Sequence, residues 1–272
     1  MSLHTNIQKQ LMASLASESD NIPSILNSAL RLLSKWRSVL IQNTLIQQQG
    51  TVVIQGPMQG LDFLSESAEG CHIAKLLGCY EQPLLPYIQQ AIETNYNTIL
   101  NIGCAEGYYA VGMARHMPNT QVKAYDINPI AQQTCQALAE KNQVADRVSV
   151  GALFSPEDFE KYRKQKTLIL CDIEGGEKNL LQPQQSPAII GMDIIVECHE
   201  GMIPGITQTM IDRFKGSHQI RLIEDSGQRQ LSNMPTWFYK LAHLDQLLAV
   251  WEWRSGPTPW LVMKSNQLQT IK

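Results

Sequence analysis

Apolar residues recur along the first part of this chain at helical spacing. After Pro23, apolar side chains return every three or four residues from Ile25 to Leu40. That spacing places them on one face of a helix, which we expect to end near Gly50. Residues 1–20 are mainly polar and predict no stable element.

From residue 97 onward the pattern changes to short apolar runs that alternate with amphipathic segments. The runs predict strands at 98–103, 121–127, 147–154, 167–173, 192–200, 219–225 and 259–264. The segments between and before them predict helices at 83–94, 106–117, 128–142, 155–165, 176–182 and 204–216, and "TVVIQG" at 51–56 predicts one more short strand. Strands that alternate with helices indicate a parallel sheet covered on both faces.

We therefore expect an α/β, Rossmann-like fold, with a mostly parallel twisted sheet flanked by helices. Residues 1–82 would form a mainly helical N-terminal extension with a short strand or hairpin, and 83–272 the sheet domain. The extension would cap the sheet and offers an amphipathic helix through which a homodimer could form.

Composition narrows the class of protein. Apolar residues make up 43% of the 272 residues and charged residues 17%, so a large core can form. The net charge of −3 lacks the basic excess of a nucleic-acid binder, and we expect no nucleic-acid partner. No apolar run is long enough to span a bilayer, and the first residues do not resemble a secretory signal. The six cysteines form no CxxC pair, so we expect reduced thiols and a cytoplasmic protein.

The loop after the first strand carries the first candidate chemistry. The sequence "NIGCAEG" places Gly103, Ala105 and Gly107 between Asn101 and a helix. Small residues there allow a ligand to approach the backbone closely, and ligands of open α/β sheets bind beyond the carboxyl ends of the strands. Asp126 ends the second strand, where a carboxylate typically accepts hydrogen bonds from ribose hydroxyls.

Dinucleotides and S-adenosylmethionine both bind at such a loop, but the GxGxxG pattern of a dinucleotide site is missing. The loop resembles motif I of the class I S-adenosylmethionine-dependent methyltransferases, in which the first residue is usually acidic and is Asn101 here. The resemblance implies contacts of the loop and Asp126 with S-adenosylmethionine. We add Tyr108, which opens the helix, and Ile127 to the candidate cofactor site; a turn that binds no ligand is the alternative.

Acidic residues follow the fourth and fifth strands. Asp172 and Glu174 end one, and Glu197 and His199 end the other. Because side chains alternate along a strand, each pair is expected to point the same way, and all four to converge on a substrate pocket.

Three segments resemble the FkbM-like methyltransferases. They are "CDIEGGEKNLL", which is similar to that family's D-x-E-G-x-E-x-x-L-L motif, "DIIVECHEG", and "LGCYEQPLLPYI" before motif I. The likeness spans about 78–200. It implies a class I methyltransferase fold and an enzyme that methylates an oxygen of a small molecule or glycan. Asp172 would then also lie near the cofactor. Tyr80 and Glu81 would close over the cofactor, or simply pack.

Three roles fit the acidic strand ends. Asp172, Glu174, Glu197 and His199 could hold a divalent metal, Mg²⁺ or Ca²⁺ on oxygen ligands, or Mn²⁺, Fe²⁺ or Zn²⁺ with the histidine included. Alternatively, His199 or Glu174 is a general base, with Asp172 beside it as a third catalytic residue. A structural role is the third reading, and for Glu177 we expect one: complementing the dipole of the next helix.

The leading expectation is therefore an S-adenosylmethionine-dependent O-methyltransferase. Transfer to nitrogen on a small molecule, peptide or protein, a non-catalytic cofactor-binding protein, and, more weakly, a nicotinamide-dependent oxidoreductase remain as alternatives. Arg254 could clamp an acidic group of the substrate or form a surface ion pair.

Overall fold

The computed structural model describes residues 2–16, 21–65, 71–224, 226–254, 256 and 258–267. The α-helices in these ranges are α1 (Leu3–Leu15), α2 (Ile22–Gln49), α3 (His72–Leu77), α4 (Leu85–Glu93), α5 (Tyr108–His116), α6 (Pro129–Lys141), α7 (Glu177–Leu180), α8 (Ile206–Phe214) and α9 (His243–Ala249). The strands are β1 (Thr98–Ile102), β2 (Gln121–Tyr125), β3 (Val148–Gly151), β4 (Thr167–Cys171), β5 (Asp193–Glu197), β6 (His218–Ile223) and β7 (Trp260–Ser265).

The described strands form one sheet in the order β3-β2-β1-β4-β5-β7-β6. Neighbours from β3 to β5 run parallel, whereas β7 is antiparallel to both β5 and β6. This confirms the predicted mostly parallel, Rossmann-like α/β fold. The strand order reverses between β1 and β4, which is where open α/β sheets bind ligands.

Strand register brings the candidate residues to one edge of the sheet. Ile102, the last residue of β1, lies opposite Tyr125 of β2 and Cys171 of β4. The residues that follow these three positions, including Asp126 and Asp172, therefore leave the sheet side by side.

Both faces of the sheet are covered. Successive side chains of a strand point to opposite faces, and Ile99 and Leu100 of β1 belong to two different buried clusters. The cluster around Ile99 also contains Ile41 and Leu45 of α2, so the N-terminal segment packs against that face. Helix α3 is buried along its whole length.

Two predicted elements take a different form in the structure. Residues 51–56 make only an isolated bridge between Val52 and Asp62, because Gly56 and Gly60 take left-handed φ angles and turn the chain back at once. Residues 155–165 contain a 3-10 helix over Pro156–Tyr162 rather than an α-helix.

The polar N-terminus also differs from the prediction. It forms α1, capped by Ser2, whose side chain accepts the N–H of Thr5. Helix α1 packs along α2 but buries no side chain fully, so the periodicity of its apolar residues is too weak to predict a helix. Residues 17–20 of the segment predicted to lack structure, and residue 225 of the predicted strand 219–225, lie outside the described residues.

All six cysteines are free and buried. No helix among the described residues is long and apolar enough to cross a bilayer.

Candidate active site

The loop after β1 is shaped by close packing. Gly103 and Gly107 have φ angles of 79° and 93°, and Ala105 one of 45°. A Cβ atom on Gly103 would come within 1.6 Å of the carbonyl oxygen of Asp172, so no side chain fits there. The loop thus lies directly against the end of β4 and leads into α5.

Asp126 joins the end of β2 to this loop. Its Oδ2 accepts the N–H of Ala105 at 2.9 Å, and its Oδ1 accepts that of Asn128 at 2.8 Å. Each carboxylate oxygen has more than one lone-pair site, so both can also accept a ligand hydroxyl. Ile127, next in sequence, is exposed.

A cavity of about 500 Å³ opens beside Asp126 and is lined by apolar side chains together with Gly103 and Asp172. Ile127, Phe154 and Ile173 belong to its walls. A carboxylate at one side and an apolar slot at the other suit a ligand with a ribose and a flat, weakly polar ring.

A second cavity, of about 710 Å³, lies on the far side of Asp172. Its lining is strongly polar and includes Glu174, Glu197, His199 and Arg254. Asp172 and Glu174 line both cavities, so the two spaces meet where the chain leaves β4. Glu174 has a left-handed φ of 52°, and its side chain is 71% exposed.

His199 is held by a buried carboxylate. Its Nδ1 lies 2.9 Å from Oε1 of Glu177, which is fully buried, and Glu177 also accepts the N–H of Ile173. The Nε2 atom faces the second cavity, 3.4 Å from Oδ1 of Asp172 and 3.9 Å from Oε2 of Glu174. When the imidazole is neutral and Glu177 is ionised, the hydrogen bond places the one ring proton on Nδ1 and leaves Nε2 as an acceptor.

The acids around this histidine set its titration. Burial lowers the pKa of His199, but the hydrogen bond to Glu177 and the charges of Glu197, Glu177 and Glu174 outweigh it and raise the pKa. Burial raises the pKa of Glu177, yet its hydrogen bonds and the charge of His199 leave that pKa below its usual value. The pair therefore favours an imidazolium beside a carboxylate.

Glu197 takes part in a different network. It pairs with Arg254, whose guanidinium also meets Glu81 at 2.9 Å and Glu252 at 3.2 Å. Arg229 pairs with Glu252 at 2.6 Å. Arg254 is thus largely buried and contacts three carboxylates, so of the two roles considered for it the surface ion pair is wrong.

A narrow pocket of about 50 Å³ continues from Gly103 towards Tyr80 and Glu81. Asn101 lines it, and the Oδ1 atom of Asn101 is buried without a hydrogen-bond partner among the described residues. Tyr109 lies beside Glu81, and its hydroxyl donates to Oε2 of Glu81 at 2.6 Å. Burial and the charge of Glu197 raise the pKa of Glu81 to about 7, against the effect of Arg254.

The structure distributes the predicted residues over these spaces. The residues proposed to contact a cofactor either line one of two spaces, the 500 Å³ cavity and the narrow pocket, or belong to the loop between them. They are Tyr80, Glu81, Asn101, Gly103, Ala105, Gly107, Tyr108, Asp126, Ile127 and Asp172. Asp172, Glu174 and His199 come together at the second cavity. Glu197 lines that cavity too, but its carboxylate is engaged by Arg254.

Glu177 has a larger part than the sequence suggested. It does lie in the first turn of α7, as expected, but its carboxylate is buried against His199. Glu174 and Glu177 are three residues apart, and this spacing would place both side chains on one face of a helix that contained them both. Helix α7 begins at Glu177, so the spacing does not predict the direction of its side chain. The sequence also gives no sign of the contacts that Glu252 makes with Arg229 and with the N–H of Glu81, because these residues are brought together only in the folded chain.

The residues also fit a divalent metal. Asp172, Glu177 and His199 each offer a ligand atom, all within 4.8 Å of one another. Oε2 of Glu177 is buried and has no hydrogen-bond partner in the described part of the chain, whereas Oε1 is already bonded to His199. Two carboxylates and an imidazole suit Mn²⁺, Fe²⁺ or Zn²⁺.

No protein-family model matches the chain, and no curated protein matches it in sequence. Among solved structures, it is similar to an O-methyltransferase from Bacillus cereus in complex with SAH, at 14% identity over 68% of this chain and 81% of that one, with a TM-score of 0.44. TomG, an O-methyltransferase from Streptomyces achromogenes in complex with SAM, is 12% identical over 70% and 82%, with a TM-score of 0.47.

A putative O-methyltransferase from Klebsiella pneumoniae is 14% identical over 84% of this chain and 97% of that one, with a TM-score of 0.47. At these identities the likeness concerns the arrangement of strands and helices alone.

Proposed function

We propose that this protein is an S-adenosylmethionine-dependent methyltransferase that acts on an oxygen atom. The observation that carries the proposal is the position of Asp172 and Glu174 in the wall of both large cavities. Asp126, a carboxylate at the position that binds ribose hydroxyls in such folds, lines one cavity, and His199 lines the other. A donor in the first cavity and an acceptor in the second would meet at the end of β4.

In this proposal the 500 Å³ cavity holds the nucleoside of the cofactor. Asp126 accepts hydrogen bonds from the ribose hydroxyls, and the ring lies against Ile127 and Phe154. Gly103 lets the backbone approach the ligand, while Tyr108 and the rest of the loop set its path towards the narrow pocket. Bound S-adenosylmethionine supplies a methyl group already activated by its sulfonium, so the protein has to position the acceptor and remove its proton.

His199 is the proposed general base. Its Nε2 faces the acceptor cavity, and Glu177 holds the ring through Nδ1. The hydroxyl proton passes to Nε2, and the buried carboxylate stabilises the imidazolium that forms. Asp172 and Glu174, near Nε2, orient the hydroxyl or hold the same proton.

A metal-assisted version uses the same residues. Asp172, Glu177 and His199 would hold the ion, with Glu174 near them, and the ion would lower the pKa of the acceptor hydroxyl. The hydrogen bond of Glu177 to His199 Nδ1 favours the general-base version, because the imidazole is already oriented without an ion.

Several finer assignments belong to this proposal. An FkbM-like affiliation, a small-molecule or glycan acceptor and a cytoplasmic location remain proposals, and no nucleic-acid partner is proposed. Residues 1–82 would serve as the cap of the site, since this segment carries Tyr80 and Glu81 and Lys35 of α2 lines the acceptor cavity. Transfer to nitrogen would need the carboxylates to hold an amine; the dyad of His199 and Glu177 favours a hydroxyl.

A homodimer is proposed from the outer face of α2. Ile22, Leu26, Leu30 and Leu33 follow helical spacing and are exposed on one side of the helix. A second copy is the proposed partner, because these positions offer no charge to a charged ligand. Light scattering during size-exclusion chromatography tests this. A monomeric mass would contradict the proposed dimer and would leave the proposed activity unaffected.

Calorimetry on the purified chain tests the function. S-adenosylmethionine and S-adenosylhomocysteine are expected to bind, and Asp126→Asn to weaken both; Asp146→Asn, at an exposed carboxylate, is the control. Binding of a nicotinamide dinucleotide in their place would contradict the proposal. A radiolabelled methyl group on a hydroxyl acceptor, lost in His199→Gln, would separate an enzyme from a binding protein.

A further inference from the structure

The narrow pocket beside Gly103 adjoins the 500 Å³ cavity in which the nucleoside of the cofactor is proposed to bind. Gly103 lines both this pocket and the 500 Å³ cavity, so one ligand can reach through both. With the ribose at Asp126, the methionine part would extend past the loop towards Asn101 and Glu81. This inference rests on the proposed function and concerns how the same cofactor is recognised.

An ammonium group in this pocket needs acceptors and a negative charge. Asn101 offers an acceptor, since its Oδ1 is buried with no hydrogen-bond partner among the described residues. A buried acceptor of this kind is costly unless a ligand supplies a donor. A neutral amide nevertheless leaves the positive charge uncompensated, and β1 provides no acid at this position.

Glu81 provides a carboxylate at the same pocket. It is buried, lines the pocket with Asn101, and has a left-handed φ of 50°, which a residue other than glycine rarely adopts. Three contacts hold it: the hydroxyl of Tyr109, the guanidinium of Arg254, and its own N–H, which donates to Glu252 at 2.9 Å. The carboxylate is therefore fixed in place before any ligand binds.

The charge of the surrounding network leaves room for one more cation. Three carboxylates, those of Glu81, Glu197 and Glu252, face two guanidinium groups, those of Arg254 and Arg229. Counted over these five described residues with all of them ionised, three negative and two positive charges leave one negative charge over. Lys75 lines the same pocket but is matched by Glu106 at 3.1 Å.

We propose that Glu81 is the carboxylate that pairs with the ammonium group of S-adenosylmethionine, with Asn101 Oδ1 as the neutral acceptor beside it. The acid that class I methyltransferases usually carry at the position of Asn101 is thus replaced by one from the segment before the sheet. Recognition of the amino-acid part then depends on that segment, and Tyr109 and Arg254 position Glu81.

The test compares two ligands that differ in this part. S-adenosylhomocysteine has the amino-acid end, and 5′-methylthioadenosine lacks it. Calorimetry is done on the full chain and on Glu81→Gln, with Glu93→Gln, at an exposed glutamate, as the matched control. Glu81→Gln is expected to weaken S-adenosylhomocysteine about 10- to 100-fold and to change 5′-methylthioadenosine less than about twofold.

Two further variants make the test specific. Asn101→Asp in the Glu81→Gln background puts an acid back at the pocket and is expected to recover part of the lost affinity. Tyr109→Phe releases one side of Glu81 and is expected to weaken only S-adenosylhomocysteine, so it replaces Glu81→Gln if that variant does not fold.

The outcomes separate this inference from the function it rests on. If the unaltered chain binds neither ligand, the proposed function fails. If the chain binds both and folded Glu81→Gln binds both equally well, the role of Glu81 is overturned. An equal loss of both ligands in Glu81→Gln and Tyr109→Phe also overturns it, because the amino-acid end would then not be what Glu81 recognises.

Discussion

The imidazole of His199 lies with Nδ1 2.9 Å from Oε1 of Glu177, a carboxylate with no solvent exposure. This contact fixes the ring and leaves Nε2 towards Asp172 and the acceptor cavity. Because Glu177 helps to raise the pKa of His199, it also sets the pH at which the imidazole can accept a proton.

Glu177→Gln is expected to lower kcat about 10- to 100-fold, as loss of a base-orienting carboxylate does, with little effect on KM for the cofactor. A neutral His199 is the active form, so a raised pKa places the acidic limb of the rate profile at higher pH. Removing Glu177 should move that limb to lower pH. The pH dependence of methyl transfer measures this; an acidic limb that stays in place would argue against His199 as the base.

The same pair should contribute to stability within a limited pH range. The pKa of His199 is raised above 6.5, so its contribution is complete below pH 6.5 and is lost as pH rises through the higher folded value. The pKa of Glu177 is lowered below 4.5, so its contribution is complete above pH 4.5 and is lost as pH falls through the lower value. Thermal unfolding should therefore show the largest difference between the unaltered chain and His199→Gln between pH 4.5 and 6.5. A difference that does not vary with pH would mean that the ionised pair does not form.

Gly103→Ala is expected to disrupt the loop after β1. A Cβ atom there meets the carbonyl oxygen of Asp172, and φ is 79°, so the backbone must shift at the point where the cavities join. We expect a loss of roughly 1–3 kcal/mol or more in unfolding free energy, and loss of cofactor binding. Gly216→Ala is the matched control, because nothing lies near its Cβ position and its φ is not left-handed. Chemical denaturation measures both; equal stability of the two variants would contradict the packing described.

The sheet was predictable because its signal is local. Strands such as Thr98–Ile102 and Thr167–Cys171 are buried on both faces and are mainly apolar in sequence. The candidate site follows directly after them. The antiparallel β7 is also an apolar run, but the run itself does not indicate the direction of the strand.

The partners within the site could not be predicted in this way. Arg254 meets Glu81 across 173 positions of sequence, and nothing in the spacing of either marks the other. His199 lies two residues beyond β5, and Glu174 has a left-handed φ, so the alternation of a strand does not set their directions. Such contacts are determined by how the loops pack at the edge of the sheet.

The affinity for S-adenosylhomocysteine is expected to depend on pH through Glu81. Its pKa is raised to about 7 by burial and by Glu197, with Arg254 opposing and Glu252 and Tyr109 also in contact. An ammonium ligand pairs with the ionised form, so below pH 7 binding must first remove a proton. Affinity should then fall by up to about tenfold for each pH unit below 7. Calorimetry in buffers of different ionisation enthalpy would detect the released proton, and Glu81→Gln should show a flat profile; a flat profile in the unaltered chain would rule out this coupling.

Chelation separates the two versions of the catalytic step. If His199 acts as a base without a metal, treatment with EDTA and removal of the chelator should leave the rate unchanged. If Asp172, Glu177 and His199 hold an ion, the rate should fall and return with Mn²⁺ or Mg²⁺. Asp172→Asn provides the internal comparison: in the metal version it should raise the Mn²⁺ concentration needed for half-maximal activity, whereas in the metal-free version added Mn²⁺ should have no effect on it. Because Glu177 already orients the imidazole through Nδ1, we expect the chelator-resistant result.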